Sequence, residues 1–437
     1  MKNLERKNNI LLAFYGDDFT GSTDALEFIC RAGAKAMLFI HPPTKEQLNK
    51  FPHLNAFGVA GKTRALSPQQ IEQILVPAFE QMKSTGARHV HYKVCSTFDS
   101  SPTTGSIGKA IDCGANVFTN GIIPVLGGAP ALGRYCLFGN LFARMGIGSN
   151  GKIYRLDKHP SMSRHPVTPA TESDLCEHLG KQTNKKIGLI DVLQLACPVN
   201  EWTTQKEDEV IMMDVLAEAD LLKIGEWMDK QPNNKNALFS VGSSGVEMAL
   251  GKYWNQKGLL EPVTSWPHSG KADSMLVISG SCSPVTKGQI EWAKANGFAE
   301  VIVKPDGLLT DGIVVHETLK QVHHHLQKQK QIIIHTGYRQ DYDVSSEKLG
   351  NVLGTIAKEA VRTNYIQRVV ICGGDTSSYA AEAMEIEAVE MIAPLISGAP
   401  LCKAFSKHKS INGLEVNFKG GQVGAENYFG VLSAGSL

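Results

Sequence analysis

The sequence lacks the features that identify several large classes of protein. It has no charge excess, because 44 basic and 43 acidic residues leave a formal net charge of +1. This balance argues against a nucleic-acid or membrane surface as the main partner. No apolar run approaches the ~20 residues that a membrane-spanning helix needs. The nine cysteines include no C-x-x-C pair, which favours reduced thiols over a disulfide framework or a zinc site.

Two common nucleotide-binding motifs are also absent. No G-x-x-x-x-G-K-[ST] sequence occurs, which excludes a P-loop, and no G-x-G-x-x-G follows the first strand of either half. Residues 1–9 are polar and charged, and the apolar run that follows them is only six residues long. We therefore expect no signal peptide and a cytoplasmic protein.

Strand-like runs alternate with helical patterns along the whole chain. This alternation predicts an α/β protein of two domains, each with a mostly parallel sheet flanked by helices. The expected strands include residues 36–40, 89–94, 187–191, 237–241 and 275–279. A polar stretch at 258–274 contains proline and glycine and separates the two halves, so the predicted domains are 1–265 and 266–437.

The most informative stretch joins a short apolar run to two adjacent carboxylates, Asp17 and Asp18. We expect a helix to follow, with Ser22 or Thr23 as its N-cap and Gly33 just past its end. The carboxylates would then lie at the carboxyl end of a buried strand, where open α/β sheets bind ligands. A turn next to a helix cap accounts for one of them. Two together favour a site that meets cationic or hydroxyl-rich groups.

Other polar side chains follow further strands of the first half. The strand at 89–94 carries Lys93 and leads into the hydroxyl-rich residues 95–102, a combination that suits a polyhydroxylated anion. An ordinary Ser/Thr/Pro loop has the same composition, so both interpretations stay open. Arg64 ends a weaker strand and is suited to a planar carboxylate, because a guanidinium can donate two parallel hydrogen bonds.

Three glycine- or serine-rich turns follow strands of the second half. They are Ser279-Gly280-Ser281, Gly373-Gly374-Asp375-Thr376 and Lys419-Gly420-Gly421. Such turns at helix N-termini expose N–H groups that suit a phosphate, although each alone is also a plain tight turn. Together they predict a nucleotide site, with Asp375 on the Mg²⁺ or ribose side and Lys419 as a phosphate contact. A helix is expected over 379–384.

Three consecutive histidines, residues 323–325, fall within a helical pattern. Consecutive helical residues point about 100° apart, so these three side chains cannot converge on one metal ion. We expect a solvated helix face there and no metal site in the protein's own side chains.

The order and spacing of these motifs resemble the four-carbon acid sugar kinase family, first described as a domain of unknown function. The resemblance covers residues 10–430. Besides the three glycine turns it rests on Gly16-Asp-Asp-Phe-Thr-Gly21, Thr63-Arg64, Lys93-Val-Cys-Ser-Thr97, Gly133-Arg134, Pro169-Ala-Thr-Glu-Ser173 and Gly242-Ser-Ser-Gly245.

The resemblance implies ATP-dependent phosphorylation of a hydroxyl of a four- or five-carbon sugar acid. The first domain would bind the acid, and the second would bind ATP with Mg²⁺. Asp18 would orient or deprotonate the acceptor hydroxyl, with Asp17 as the next candidate. The expected substrate-binding residues are Thr20, Arg64, Lys93, Cys95, Ser96, Thr97 and Asp99. The expected nucleotide-binding residues are Ser279, Gly280, Ser281, Gly373, Gly374, Asp375, Thr376, Lys419, Gly420 and Gly421. We also allow for a homodimer.

Two other functional classes stay open on the sequence alone. One is an NAD-dependent oxidoreductase acting on a sugar acid, because glycine turns after strands also suit dinucleotides. The missing G-x-G-x-x-G counts against it. The other is a non-catalytic sensor of sugar acids.

One stretch departs from the family pattern. The family has Lys-x-Asp-Ser-Thr-Leu-Arg-Gly where this chain has Lys93-Val-Cys-Ser-Thr-Phe-Asp-Ser100. Cys95 thus replaces an acid and Asp99 replaces an arginine. The change predicts a substrate other than the plain tetronates threonate and erythronate, and the altered stretch resembles the branch associated with 3-oxo-isoapionate, a branched sugar acid.

Overall fold

The structure is a computed structural model that describes residues 10–119, 121–145, 151–165, 167–231, 237–303, 313–327, 330–337 and 344–436. Residues 1–9, which bear on the signal-peptide expectation, lie outside this part. The chain divides into two compact units. One contains residues up to 37 together with 41–264, and the other contains 38–40 together with 265–437.

The first unit contains an eight-stranded run of sheet, except for residues 38 and 39 at the end of β2, and a separate sheet of three strands. Its strands are β1 Leu12–Gly16, β2 Ala36–Phe39, β3 Ala56–Ala60, β4 His89–Lys93, β5 Ile123–Leu126, β6 Arg134–Leu137, β7 Asn140–Arg144, β8 Ile153–Arg155, β9 Ile187–Ile190, β10 Val210–Met213 and β11 Leu238–Gly242. The larger run has the order β2-β3-β1-β4-β11-β5-β10-β9. The pairings from β3 to β9 are parallel, whereas β6, β7 and β8 pair antiparallel.

Helices connect these strands, as parallel pairing requires. They are α1 Phe19–Arg31, α2 Lys45–Asn49, α3 Pro68–Ser84, α4 Ile107–Phe118, α5 Leu175–Gly180, α6 Val192–Ala196, α7 Glu218–Asp229 and α8 Gly245–Gln256. The central strands are buried on both faces, and aromatic rings fill the space beneath the helices. The ring centroid of Phe239 in β11, for example, lies 5.2 Å from the ring centroids of both Phe79 and Phe118. Burying one such ring stabilises the fold by about 2–3 kcal/mol.

The second unit repeats the same architecture on a smaller scale. Its strands are β12 Met275–Ser279, β13 Ala299–Ile302, β14 Gln331–His335, β15 Arg368–Cys372, β16 Ala388–Ala393, β17 Leu401–Phe405 and β18 Glu415–Lys419. Its helices are α9 Pro284–Ala295, α10 Ile313–Leu326, α11 Ser346–Thr363, α12 Gly374–Ala383 and α13 Tyr428–Ala434. The sheet order is β13-β14-β12-β15-β18-β17-β16, parallel up to β18 and antiparallel at β17 and β16.

The predicted fold class is confirmed, since both units contain a mostly parallel sheet flanked by helices. The five strand ranges given above from the sequence differ from the observed ends by at most one residue. These strands were predictable because their apolar runs are short and end at turn residues. No helix in the described part of the chain is long and apolar enough to cross a membrane.

Two helix starts are wrong in the sequence prediction. Helix α1 begins at Phe19, and its N-cap is Asp18 rather than Ser22 or Thr23. An aspartate is as good an N-cap as a serine, so composition alone did not separate these candidates. Gly33 does lie just past the end of α1, with φ +101°. Helix α12 begins at Gly374 rather than at residue 379, so the second glycine turn already contains its first turn.

Candidate functional site

The register of the first sheet brings several predicted residues to one edge. Gly16, the last residue of β1, lies opposite Ala60 of β3 and Lys93 of β4. Lys93 in turn lies opposite Gly242 of β11. The segments that follow these strands therefore surround Asp17, which is the position where parallel sheets bind ligands.

Arg64 holds both adjacent carboxylates through one guanidinium. Its Nε and Nη2 donate to Asp17 Oδ2 and Oδ1 at 3.2 and 3.0 Å, and its Nη1 lies 2.8 Å from Asp18 Oδ2. Burial raises the pKa of Asp17, and Arg64 opposes this shift. Burial also works against the charge of Arg64, but Asp17 and Asp18 outweigh it and raise the Arg64 pKa well above its ordinary value. All three guanidinium nitrogens are thus used within the protein.

Asp18 is fixed from three sides. Its Oδ1 accepts a hydrogen bond from the Gly21 amide at 2.7 Å, and its Oδ2 accepts one from Thr20 Oγ1 at 2.8 Å, besides the Arg64 ion pair. A side chain at position 21 would place its Cβ 2.6 Å from Asp18 Oδ1 and 3.2 Å from Lys93 Nζ. Glycine therefore allows the carboxylate and the ammonium to share this space.

The strand β4 carries a polar ladder on one face. His89, His91 and Lys93 are two residues apart, so their side chains point to the same side of the sheet. Each meets a carboxylate, and the pairs are His89 Nε2 with Asp229 Oδ1 at 3.0 Å, His91 Nδ1 with Glu247 Oε1 at 2.6 Å and Lys93 Nζ with Asp24 Oδ2 at 3.5 Å. Asp24 also accepts a hydrogen bond from Ser244.

This ladder keeps Lys93 charged although it is buried. Burial opposes its charge, but Asp24 and Asp17 outweigh that effect and raise the Lys93 pKa above its ordinary value. Burial likewise raises the pKa of Asp24, with Lys93 opposing. Buried charges persist only when they are paired in this way.

The altered stretch, residues 95–100, runs beside this cluster. The Cys95 amide lies 3.4 Å from Asp17 Oδ2, and the Cys95 thiol lies 3.0 Å from Thr97 Oγ1. Burial and the Asp99 charge raise the pKa of Cys95 to about 11, so it is a neutral thiol and no nucleophile at neutral pH. Ser96 and Thr97 are buried. Phe98 has φ +53°, an uncommon backbone for a bulky residue.

Asp99 lies at the edge of a small pocket. The pocket is lined by residues of the altered stretch and by Thr168, Glu172 and His178. Ser100 Oγ lies 2.7 Å from His178 Nε2, which fixes the loop. Asp99 Oδ1 is buried, and no described residue donates a hydrogen bond to it.

In the second unit, the three predicted turns converge at one sheet edge. Strands β12, β15 and β18 are neighbours, and Ser279 lies opposite Cys372, which lies opposite Lys419. A Cβ at Gly280 or Gly373 would come within 2.5 or 2.9 Å of Thr376 Oγ1. A Cβ at Gly421 would lie 3.3 Å from Ser281 Oγ. These approaches leave room for backbone N–H groups to face an anion but not for side chains.

The three turns, residues 279–281, 373–376 and 419–421, are together called the cradle, and helix α12 begins within it. Its N-cap, Gly373, has φ +117° and makes no side-chain cap hydrogen bond. The N–H groups at the start of α12, from Gly374 onward, receive no cap from that residue, which is the arrangement that binds phosphates. The side chain of Asp375 lies outside the described part of the structure, so its predicted role stays a prediction.

Lys419 lies beneath the cradle. Its Nζ donates to Thr286 Oγ1 and Gly420 O, both at 2.9 Å, and lies 3.4 Å from Gly421 O. Thr286 Oγ1 also donates to Gly421 O at 3.1 Å, so the lysine ties the third turn to α9. Burial lowers the pKa of Lys419 to about 8.

The described residues contain no group of three His, Cys, Asp or Glu side chains placed to hold a metal ion. The three histidines at 323–325 lie in the last turn of α10. A Mg²⁺ ion that binds with a nucleotide is held largely by phosphate oxygens and water, and needs few protein ligands. The cradle fits that mode of binding.

The predicted site residues omit four that lie in or beside the first-unit site: Asp24, Arg134, Ser244 and Glu247. Arg134 and Ser244 fall within two motifs of the family resemblance but were given no role. A signal existed for Asp24, which interrupts an apolar helix face next to Ala25 and Leu26. The alternation of polar and apolar residues in β4 could likewise have indicated buried partners for His91 and Lys93. Nothing in the sequence indicated that Ser244 meets Asp24.

Comparisons with known proteins bear on both units. A sugar-binding N-terminal domain family matches residues 12–250, and a nucleotide-binding C-terminal domain family matches residues 276–429. The chain is 38% identical to the 3-oxo-isoapionate kinase of Paraburkholderia graminis, over 98% of this chain and 95% of that protein. It is 26% identical to a 3-oxo-tetronate kinase of Pseudomonas savastanoi pv. phaseolicola, over 96% of both chains.

The chain belongs to the four-carbon acid sugar kinase family.

Solved structures agree with this family assignment at the level of the fold. A Salmonella typhimurium LT2 protein superposes with a TM-score of 0.74 at 22% identity, covering 96% of this chain and 98% of the other. A Haemophilus influenzae protein superposes with a TM-score of 0.66 at 18% identity, with the same coverage. The family membership confirms the predicted enzyme class, a phosphotransferase that acts on sugar acids.

The burial of Lys419 predicts a pH dependence of stability. In the unfolded chain Lys419 keeps its proton up to its ordinary pKa of 10.5, whereas in the folded chain it loses it above about 8. The unfolded state therefore binds more protons between these values, and stability due to this group rises with pH. The urea midpoint of the wild type, minus that of Lys419→Met, should increase from pH 8 to pH 10. A constant difference would mean that Lys419 stays charged when folded.

Proposed function

We propose that this protein transfers the γ-phosphoryl group of ATP to a hydroxyl of 3-oxo-isoapionate. The observation that carries the proposal is the fixed Asp18 carboxylate, held by Arg64, Thr20 and Gly21 at the carboxyl edge of the first sheet. The whole-chain similarity to a 3-oxo-isoapionate kinase supports this substrate over a plain tetronate. The altered residues Cys95 and Asp99 border the same place.

Asp18 is proposed to orient the acceptor hydroxyl and to take its proton. The hydroxyl oxygen forms a bond to the γ-phosphorus while the bond from that phosphorus to the β,γ-bridging oxygen breaks, and ADP leaves with the electron pair. Such transfers depend mainly on positioning and charge neutralisation. Three hydrogen-bonding partners keep Asp18 in one geometry, and Asp17 is proposed to hold Arg64 in place.

The remaining polar residues are proposed to bind the sugar acid. Arg64 and Lys93 balance the charge of the neighbouring aspartates, and Thr20, Ser96 and Thr97 offer hydroxyl groups to the acid within the same cluster. Cys95 and Asp99 are proposed to set the shape and polarity of the substrate region, because a thiol accepts a hydrogen bond only weakly and a carboxylate accepts strongly.

The cradle of the second unit is proposed to bind ATP with Mg²⁺. The backbone N–H groups of Gly374 and Thr376, and those of Gly420 and Gly421, would face the phosphates. Ser279, Gly280, Ser281 and Gly373 would shape the turns around them, because the Gly280 and Gly373 amides donate to Cys372 O and Lys419 O at 3.2 and 2.9 Å. Lys419 would support the third turn, and Asp375 would face the metal or the ribose. Mg²⁺ would supply charge neutralisation on the phosphates.

We further propose that the protein works in the cytoplasm; the homodimer that the sequence analysis allows for stays a prediction. The nine cysteines are free thiols in the structure, which suits a reducing compartment. Light scattering on the purified chain would measure the oligomeric state directly.

The role of Asp18 predicts a specific kinetic defect. Asp18→Asn should lower kcat by about 10²-fold, because a general base is lost. The helix should survive, since asparagine caps as well as aspartate. The KM for ATP should change little. The matched control is Asp191→Asn, which alters the N-cap of α6 away from this cluster and should leave kcat unchanged. A kcat within a few-fold of the wild type for Asp18→Asn would contradict the role.

The cradle predicts an effect confined to the nucleotide. Gly373→Ala adds a Cβ 2.9 Å from Thr376 Oγ1 at a positive φ, which costs about 1–2 kcal/mol. The KM for ATP should rise about tenfold, with the KM for the acid unchanged. Gly288→Ala is the control, because its Cβ would meet nothing within 4 Å. Equal ATP KM values in the two variants would remove Gly373 from the nucleotide site.

The altered stretch predicts substrate choice. We expect kcat/KM for 3-oxo-isoapionate to exceed the values for D-threonate and D-erythronate by at least about 10²-fold, since an unmatched polar group in a site is costly. Coupled-enzyme detection of ADP release measures all three. A plain tetronate that wins by tenfold or more would show that residues 95–100 do not select the substrate, and no ADP release with any acid would contradict the kinase itself.

A further inference from the structure

Arg134 is a buried arginine whose charge has no counter-ion in the described part of the chain. It begins β6, directly after the left-handed Gly133, and is only 7% exposed. Its Nη1 donates to the backbone oxygens of Leu132 and Arg144 at 3.0 and 3.2 Å, and lies 3.5 Å from that of Gly133. These contacts anchor one corner of the guanidinium.

The opposite edge of that guanidinium is unused. Nε is buried and donates no hydrogen bond, and no described residue accepts one from Nη2. The Nε–Nη2 edge is the one through which Arg64 holds Asp17 in two parallel hydrogen bonds. A buried Nε left without an acceptor is costly unless an anion meets this edge of the guanidinium.

Arg134 borders the cluster at the carboxyl edge of the first sheet. Burial lowers its pKa, and Cys95, Asp99 and Asp24 are near enough to oppose that shift. None of them pairs with it. Asp99 Oδ1 is itself buried and accepts no hydrogen bond from a described residue. Arg134 Nε and Asp99 Oδ1 are thus two buried polar atoms without a partner among the described residues, and the Asp99 charge is near enough to act on Arg134. A polar ligand that meets both would satisfy them.

The other cations of the cluster are already neutralised. Arg64 uses all three guanidinium nitrogens on Asp17 and Asp18, and Lys93 pairs with Asp24. An acidic substrate would therefore meet more carboxylates than cations there, which opposes its binding. Arg134 supplies the missing positive charge.

We propose that Arg134 binds the carboxylate of the sugar acid through its Nε–Nη2 edge, while Asp99 accepts a hydrogen bond from one of the same molecule's hydroxyls. This inference rests on the proposed function for the identity of the substrate. It assigns carboxylate recognition to Arg134 rather than to Arg64, whose role is to hold the two catalytic-site aspartates.

The test separates recognition of the carboxylate from a general structural role. The variants are Arg134→Met, Arg134→Lys and the control Arg155→Met, an arginine of the same three-stranded sheet whose guanidinium pairs with Asp157 at the surface. Each is assayed with 3-oxo-isoapionate and with its neutral carboxamide. Arg134→Met should raise the KM for the acid by roughly 10- to 100-fold, as for a lost hydrogen bond between charged groups.

The preference for the acid over the carboxamide, taken as the ratio of their kcat/KM values, decides the outcome. The wild type and Arg155→Met should prefer the acid over the carboxamide, Arg134→Met should lose that preference with kcat little changed, and Arg134→Lys should keep part of it. Equal losses for acid and carboxamide, or an intact preference for the acid, would overturn the proposal and leave Arg134 structural.

Binding is measured separately so that turnover is not required. Calorimetry of the full-length chain, with a non-hydrolysable ATP analogue present, titrates 3-oxo-isoapionate and D-erythronate into the wild type and Arg134→Met. A 10- to 100-fold weaker affinity in the variant supports the proposal, and equal affinities overturn it. Tight acid binding without any phosphoryl transfer would contradict the proposed function alone. A wild type that binds neither acid would overturn both.

Discussion

One guanidinium that neutralises two adjacent carboxylates is the constraint on which the first unit's site depends. Asp17 and Asp18 are both buried at the end of β1, and without Arg64 they would repel each other in a medium that screens poorly. Removing one partner of a buried charge group typically costs about 3–5 kcal/mol. The position of Arg64, just past β3, is therefore as necessary to the site as the aspartates. The ladder on β4 serves the same purpose, because Asp24 keeps Lys93 charged.

In the second unit, backbone N–H groups rather than charged side chains are arranged to bind the ligand. The unit's three turns approach so closely that side chains are excluded at Gly280 and Gly373, and the N–H groups at the start of α12 remain to meet an anion. The lysine there is held by neutral oxygens and has a depressed pKa, in contrast to Lys93, whose carboxylate neighbours raise its pKa. This difference fits the proposed ligands. The second unit binds a ligand that brings its own negative charge, whereas the first unit must orient a hydroxyl group.

Much of this arrangement was predictable, because parallel strands end at a common edge. The sequence indicated Asp17, Lys93 and the three glycine turns at or just past the ends of strands, and adjacency in the sheet then brought them together. Local sequence patterns did not predict the N-cap of α1, because Asp18 both caps this helix and pairs with Arg64. They failed as well where partners are distant in sequence. Ser244 meets Asp24 across 220 positions, and the unused edge of Arg134 is visible only once its surroundings are known.

The proposed reaction moves a phosphoryl group from ATP to a sugar acid. Phosphorus-31 NMR of the full-length protein with ATP, Mg²⁺ and 3-oxo-isoapionate follows the transferred group itself. We expect the ATP γ-phosphorus signal to disappear while ADP signals and one new phosphate-monoester signal grow in equal amounts. Formation of inorganic phosphate without a monoester, or an unchanged ATP spectrum in the presence of every sugar acid offered, would contradict the proposed reaction.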